Sequence, residues 1–163
     1  MYFILFICFV VLQRLLELVV AKRNEKWARS QGATEYGQGH YPYIVLLHTL
    51  FIIALIIEYL FKSGSFSLSF MIAFLLLIMI KGWVISSLGR YWNTKILRIP
   101  NSVLVKKGFY KLFKHPNYFI VICEIIVIPM VFNLYVTAII FTLLNALMLN
   151  VRIRAEEKAW AID

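Results

Sequence analysis

Histidine, tyrosine, arginine and adjacent glutamates gather at two places where apolar sequence gives way to charge. The first is Lys107-Gly108-Phe109-Tyr110-Lys111-Leu112-Phe113-Lys114-His115-Pro116-Asn117-Tyr118, and the second is Arg152-Ile153-Arg154-Ala155-Glu156-Glu157. Proline straight after His115 suits the first turn of a helix, where its missing N–H has no intrahelical partner to lose, so a helix is predicted to start near Pro116. Such a start offers free N–H groups and a partial positive charge, strengthened here by Lys107, Lys111 and Lys114, and forms a seat for an anionic group such as a carboxylate. Residues of these types beside a membrane surface could serve a polar cofactor that meets a lipid substrate. Taken singly they also fit plainer roles: His115-Pro116 as an ordinary helix start, and Glu156 and Glu157 beside Arg152 and Arg154 as a solvated helix end.

The elements that must position these groups follow from composition. Of 163 residues 62% are hydrophobic, and the mean hydropathy is +0.81, far above a soluble domain, where the apolar share is about half. The chain is read as one all-α integral membrane domain, 1–163. A bilayer core of about 30 Å needs about 20 helical residues, which predicts spans at Tyr2–Val20, Tyr43–Leu60 and Phe66–Leu88. The longer run Phe119–Val151, interrupted by Pro129 and Asn133, is predicted to fold as a tight hairpin, giving about five transmembrane helices. The first run carries Arg14 and Glu17, has no basic segment before it and no small-residue cleavage site after it, so it is read as a retained span. Ala21–Pro42 is read as a loop with a helical start.

The formal charge of +9 could suggest nucleic acid, but the basic residues stand beside apolar spans, and no nucleic-acid partner is expected. Lys22, Arg23, Lys26 and Arg29, then Arg90, Lys95, Arg98 and the lysines before His115, then Arg152, Arg154 and Lys158 fall on one side of an odd number of spans. That places the N-terminus outside and the C-terminus in the cytoplasm. Cys8 and Cys123 lack pairing or ligand spacing and are read as core packing. His40 and His48 have no acidic partner at helical spacing, so no metal site is expected. Trp27, Trp83, Tyr91 and Trp92 near span ends are read as interfacial anchors.

Ionisable residues inside a span are costly and mark candidate sites. Arg14 and Glu17, at i,i+3, are expected to neutralise each other. Glu58 and Lys81 lie near span ends, from which they can snorkel to the interface. Glu124, two turns into the helix opened by Pro116, either lines a lipid-facing cavity and touches substrate or makes an interhelical hydrogen bond.

The two polar segments carry a resemblance. Gly108-Phe109-Tyr110, then Lys114-His115-Pro116-Asn117-Tyr118 opening a hairpin, then Arg152 through Glu156-Glu157 resemble, in order and spacing, the signature of the isoprenylcysteine carboxyl methyltransferase family of integral membrane enzymes. The motifs cover about the last two fifths of the chain, and the small size resembles the short bacterial branch. The resemblance implies S-adenosyl-L-methionine as methyl donor in a cytoplasm-facing pocket closed by the tail. It implies cofactor contacts at Tyr110, His115, Pro116, Asn117, Tyr118 and Glu156, and more loosely at Ser102, Val103, Leu104 and Val105. It implies that Arg152 faces the substrate and shares the catalytic work with His115. Lys114 stands where the family signature has arginine, which keeps the charge and loses the planar fork. The sequence stops at Asp163, just past Trp160, where family members continue with an aromatic-rich tail, so a short or different cover is expected.

The implied reaction is transfer of a methyl group to an oxygen of a lipophilic small molecule arriving from the bilayer, with membrane lipids as surroundings. An alkylpyrone or phenolic polyketide lipid is the favoured acceptor class, with a prenylcysteine-type carboxylate as a further option. A phospholipid-amine N-methyltransferase and a small non-enzymatic transporter are the rival readings. Oligomeric state is not legible.

Overall fold

The computed structural model describes residues 1–62, 64–100, 102, 108–111 and 115–161. Within them run five α-helices: α1 (Tyr2–Ser30), α2 (Tyr41–Lys62), α3 (Leu68–Leu88), α4 (Pro116–Met130) and α5 (Tyr135–Trp160). Four of them, α1, α2, α3 and α5, are long and apolar enough to cross a bilayer. The fourth helix is apolar too, but its 15 residues reach only about 22 Å at 1.5 Å per residue. The chain is a multi-pass all-α membrane protein whose long exposed apolar faces suit lipid rather than water.

Continuous helix carries α1 well past Val20, so the expected loop after the first span is helical as far as Ser30. The predicted hairpin is α4 and α5, joined through Val131–Leu134. Pro129 sits at the end of α4, and its carbonyl accepts from the N–H of Phe132 (3.1 Å) and of Leu134 (3.0 Å), closing the turn. Asn133 takes a left-handed φ of 54°, which asparagine tolerates better than most residues. Its amide donates to the Ser65 carbonyl (3.0 Å) and hydroxyl (2.8 Å), and Ser67 N–H donates to the Val131 carbonyl (2.8 Å), so the turn is docked on the α2–α3 connection. A Cβ at Gly64 would stand 2.0 Å from the Phe132 carbonyl oxygen. Gly64→Ala is therefore expected to cost about 1–3 kcal/mol by overpacking against backbone that cannot rotate away, read as a lowered Tm in detergent.

The bundle end that carries this turn is an aromatic core. Phe132 meets Phe3 edge-on (centroids 5.1 Å), and Phe6, Tyr59 and Phe66 surround it. Glu58 belongs to the same end: it accepts from the N–H groups of Val136 (3.1 Å) and Thr137 (2.7 Å), capping α5 from α2 rather than snorkelling.

Towards the middle of the bundle the expected Arg14–Glu17 pair (3.2 Å) is part of something larger. Lys81, expected to snorkel, is 3% exposed, and its ammonium donates to both oxygens of Glu124 at 3.0 Å and pairs with Glu17. Arg14 donates to Glu124 at 2.9 Å. Gln13 adds donors to Glu17 (3.0 Å) and Glu124 (3.3 Å). Two bases and two acids from α1, α3 and α4 thus cancel, which is the condition for keeping charge away from water. The two cysteines are not core residues: Cys8 is exposed on the bundle surface and Cys123 is half-buried.

The opposite end carries the basic connections. β1 (Thr34–Tyr36) and β2 (Ile96–Arg98), two short strands absent from the sequence expectation, pair antiparallel with Glu35 opposite Leu97. Lys95 bridges Glu25 (2.9 Å) and Glu35 (3.4 Å), with Arg29 on the same acids. The hydrogen bond to Glu25 holds the Lys95 ammonium above its ordinary range. The inner part of α1 grips the connection after α3: Asn24 donates to the carbonyls of Trp92 (2.7 Å) and Gly89 (3.2 Å), and Asn93 donates to that of Ala21 (3.0 Å).

Candidate active site

His115 is the N-cap of α4 and Pro116 its first residue, as the His-Pro pair predicts. Arg152 and Glu156, at i,i+4, project from one face of the last turns of α5. The antiparallel packing of α4 and α5 brings these groups together. Tyr118 is the hub. Its O–H donates to the Glu156 carboxylate and accepts from Arg152 Nε at 3.0 Å. The Arg152 guanidinium lies 5.3 Å from the centre of the Tyr118 ring, and the His115 ring stacks against that ring with centroids 5.2 Å and planes 15° apart. His115 Nδ1 is 3.7 Å from Glu156 Oε2, while His115 Nε2 is buried with no partner among the described residues.

Arg152 is anchored further by a 2.6 Å hydrogen bond from Nη2 to the Thr94 carbonyl. With Nε and Nη2 engaged, its Nη1 has no hydrogen-bond partner among the described residues. The half-buried Tyr110 phenol is held above the ordinary tyrosine range by desolvation and then by the nearby Glu156 charge.

Two cavities meet at this point. The polar one is lined by Ser102, Tyr110, His115, Asn117, Tyr118, Arg152 and Glu156, so seven of the positions singled out in the sequence converge on a single space. Pro116 is buried behind it as the first helical residue. Val103, Leu104 and Val105, and the signature position Lys114, lie outside the described residues. Glu124 is elsewhere: 0% exposed and saturated by Arg14 and Lys81, it lines neither cavity, so a substrate contact at Glu124 gives way to its role in the interhelical ion cluster.

The second cavity is larger, about 390 Å³ against about 170 Å³, and mostly apolar. It runs between α1 and α2, past Leu15, Leu18, Val45 and Ile53, all substantially exposed on the bundle surface. It is open sideways. Arg152, Asn117 and Trp92 line both cavities, and Arg152 is the one cation common to both among the described residues.

Sequence reasoning missed this second cavity and the inward role of Trp92. An apolar residue facing a cavity reads the same as one facing lipid. Asn24, standing within the charged run Lys22–Lys26, gave no signal of its own.

A family model described as the isoprenylcysteine carboxyl methyltransferase (ICMT) family matches residues 68–162. The uncharacterized protein YpbQ of Bacillus subtilis (strain 168) is 47% identical over 160 residues, covering 96% of this chain and 95% of that protein. An uncharacterized protein of Haemophilus influenzae (strain ATCC 51907 / DSM 11121 / KW20 / Rd) is 31% identical over 160 residues, covering 96% and 92%. No solved structure matches significantly.

Proposed function

The chain belongs to the isoprenylcysteine carboxyl methyltransferase family, and from that premise we propose that it transfers a methyl group from S-adenosylmethionine to an oxygen of a lipophilic acceptor drawn from the bilayer. The observation that carries the reading is the pair of cavities, one polar and one apolar, that meet at Arg152.

The polar cavity fits the donor. His115 Nε2 is a buried polar atom with no partner among the described residues, the start of α4 favours a carboxylate, and Glu156 can accept from amino or ribose hydrogens. Tyr118, tied to both Glu156 and Arg152, holds the cofactor-side acid and the acceptor-side cation in fixed relation. When bound, the sulfonium supplies an already activated methyl group. What remains for the protein is to align the acceptor and keep water out.

The apolar cavity fits the acceptor's tail, and its sideways mouth fits entry from lipid. Arg152 Nη1, the donor left over after Tyr118 and Thr94 are served, is available to an acceptor oxygen at the junction. A guanidinium there lowers the pKa of an enol or phenol, so the acceptor can meet the methyl group as an anion without a dedicated base; a carboxylate is ionised already. We favour an enolic or phenolic polyketide lipid of the alkylpyrone type, with a prenylcysteine-type carboxylate as the other oxygen acceptor. The same cation opposes a protonated phospholipid amine, which disfavours the N-methyl reading. By the distribution of basic residues the polar cavity faces the cytoplasm and the N-terminus the outside.

Mass spectrometry of host lipids with and without the protein is expected to show a species heavier by one methyl, on oxygen. Arg152→Ala is expected to reduce turnover about a hundredfold or more, as for loss of a donor to developing negative charge, while leaving cofactor affinity nearly intact. Loss of cofactor binding in that variant would contradict its acceptor role.

A further inference from the structure

Trp92 was expected to face the membrane interface, yet it is 3% exposed, whereas Tyr91 beside it is 51% exposed. The reversal begins at Gly89, whose φ of 55° ends α3 and starts the short 3-10 turn Gly89–Tyr91, from which the chain re-enters the protein. The indole then stands in the wall that the polar and apolar cavities share. Its Nε1–H donates to Asn117 Oδ1 at 3.4 Å, and Asn117 lines both cavities as well. Behind it, the Trp92 carbonyl is held at 2.7 Å by Asn24, itself only 7% exposed on α1, with a second hydrogen bond to Gly89.

Resting on the methyltransferase reading, we infer that Trp92 is a specificity-determining residue that sets the width of the passage between the cavities, and that Asn24 positions it. Three side chains frame the junction. Arg152 supplies charge and Asn117 a small amide, so the rigid indole is the part that limits bulk. An acceptor with a slim reacting end can bring its oxygen past the indole edge, whereas a fused or branched end meets it. Asn24 acts at one remove: without it the Gly89–Trp92 turn loses two hydrogen bonds from α1 and the indole loses its fixed seat.

The test uses purified full-length protein in nanodiscs and two synthetic acceptors with the same long straight alkyl chain, one on a phenol and one on a 2-naphthol. Trp92→Ala is expected to shift the kcat/KM ratio toward the naphthol by about tenfold or more, the scale on which pocket volume discriminates, with Trp92→Phe intermediate. Asn24→Ala is expected to move the ratio in the same direction by less, with partial recovery in Asn24→Gln, which keeps the amide donor. The affinities of the two matching methyl ethers, measured by calorimetry without cofactor, are expected to change in the same order.

A cooperative thermal transition within about 5 °C of wild type identifies variants that are folded, and Trp92→Phe and Trp92→Leu keep the test open if Trp92→Ala does not fold. A ratio unchanged in folded Trp92 variants, or both acceptors declining in parallel, overturns the inference and leaves the methyltransferase reading standing. A wild-type protein that neither binds S-adenosylhomocysteine nor methylates either acceptor overturns both.

Discussion

Glu156→Gln is expected to weaken S-adenosylmethionine binding by about one to two orders of magnitude, the worth of one charge-assisted hydrogen bond, with little change in stability. The half-buried carboxylate lines the polar cavity and, among the described residues, accepts one hydrogen bond, from Tyr118, which glutamine can still accept through its carbonyl. Its remaining acceptor capacity faces the cavity, and that is what the substitution converts to a donor. His115→Ala is expected to act in the same direction, because it removes both the unpartnered Nε2 and the ring stacked on Tyr118. Calorimetric titration of both variants in detergent, alongside their Tm values, checks this. Wild-type affinity in both would mean that the cofactor sits elsewhere.

The second large effect concerns stability. Lys81→Met is expected to cost about 3–5 kcal/mol, because it leaves Glu124 and Glu17 sharing Arg14 alone and gives a buried cluster a net negative charge. Lys81→Met combined with Glu124→Leu restores neutrality, since Arg14 and Glu17 still pair, and is expected to recover most of the loss. The non-additivity is the diagnostic. Unfolding curves for wild type, both single variants and the double variant give the coupling. A double variant no more stable than the sum of the two single effects predicts would show that the four groups do not act as one unit.

Those two sets of residues were unequally visible in the sequence. Pro116 after His115 could be placed at a helix start by backbone chemistry alone, Arg152 and Glu156 stood out as a polar segment in the order of a family signature, and the α4–α5 hairpin that joins them was marked by Pro129 and Asn133. The spans were found by length and polarity, although α1 runs about ten residues beyond its apolar part because charged residues such as Lys26 are good helix formers. Lys81 could not be placed. Its distance from a span end suits snorkelling, and only the positions of α1 and α4 show that Glu17 and Glu124 stand close enough to hold it. Trp92 was misjudged for a related reason: interfacial aromatics and buried ones share composition and neighbours, and the difference lay in one glycine's φ. The β1–β2 ribbon escaped notice because three-residue strands leave no periodicity to read.

The shortness of α4 has a consequence for how a greasy molecule is handled. At about 22 Å it falls about 8 Å short of an average hydrocarbon slab, so a turn placed at one boundary would leave its opening residue below the headgroups of the other. On the proposed reading, the reacting end of an amphiphile would then only dip while its tail stayed in oil, sparing it extraction into water at about 0.8 kcal/mol for every methylene exposed.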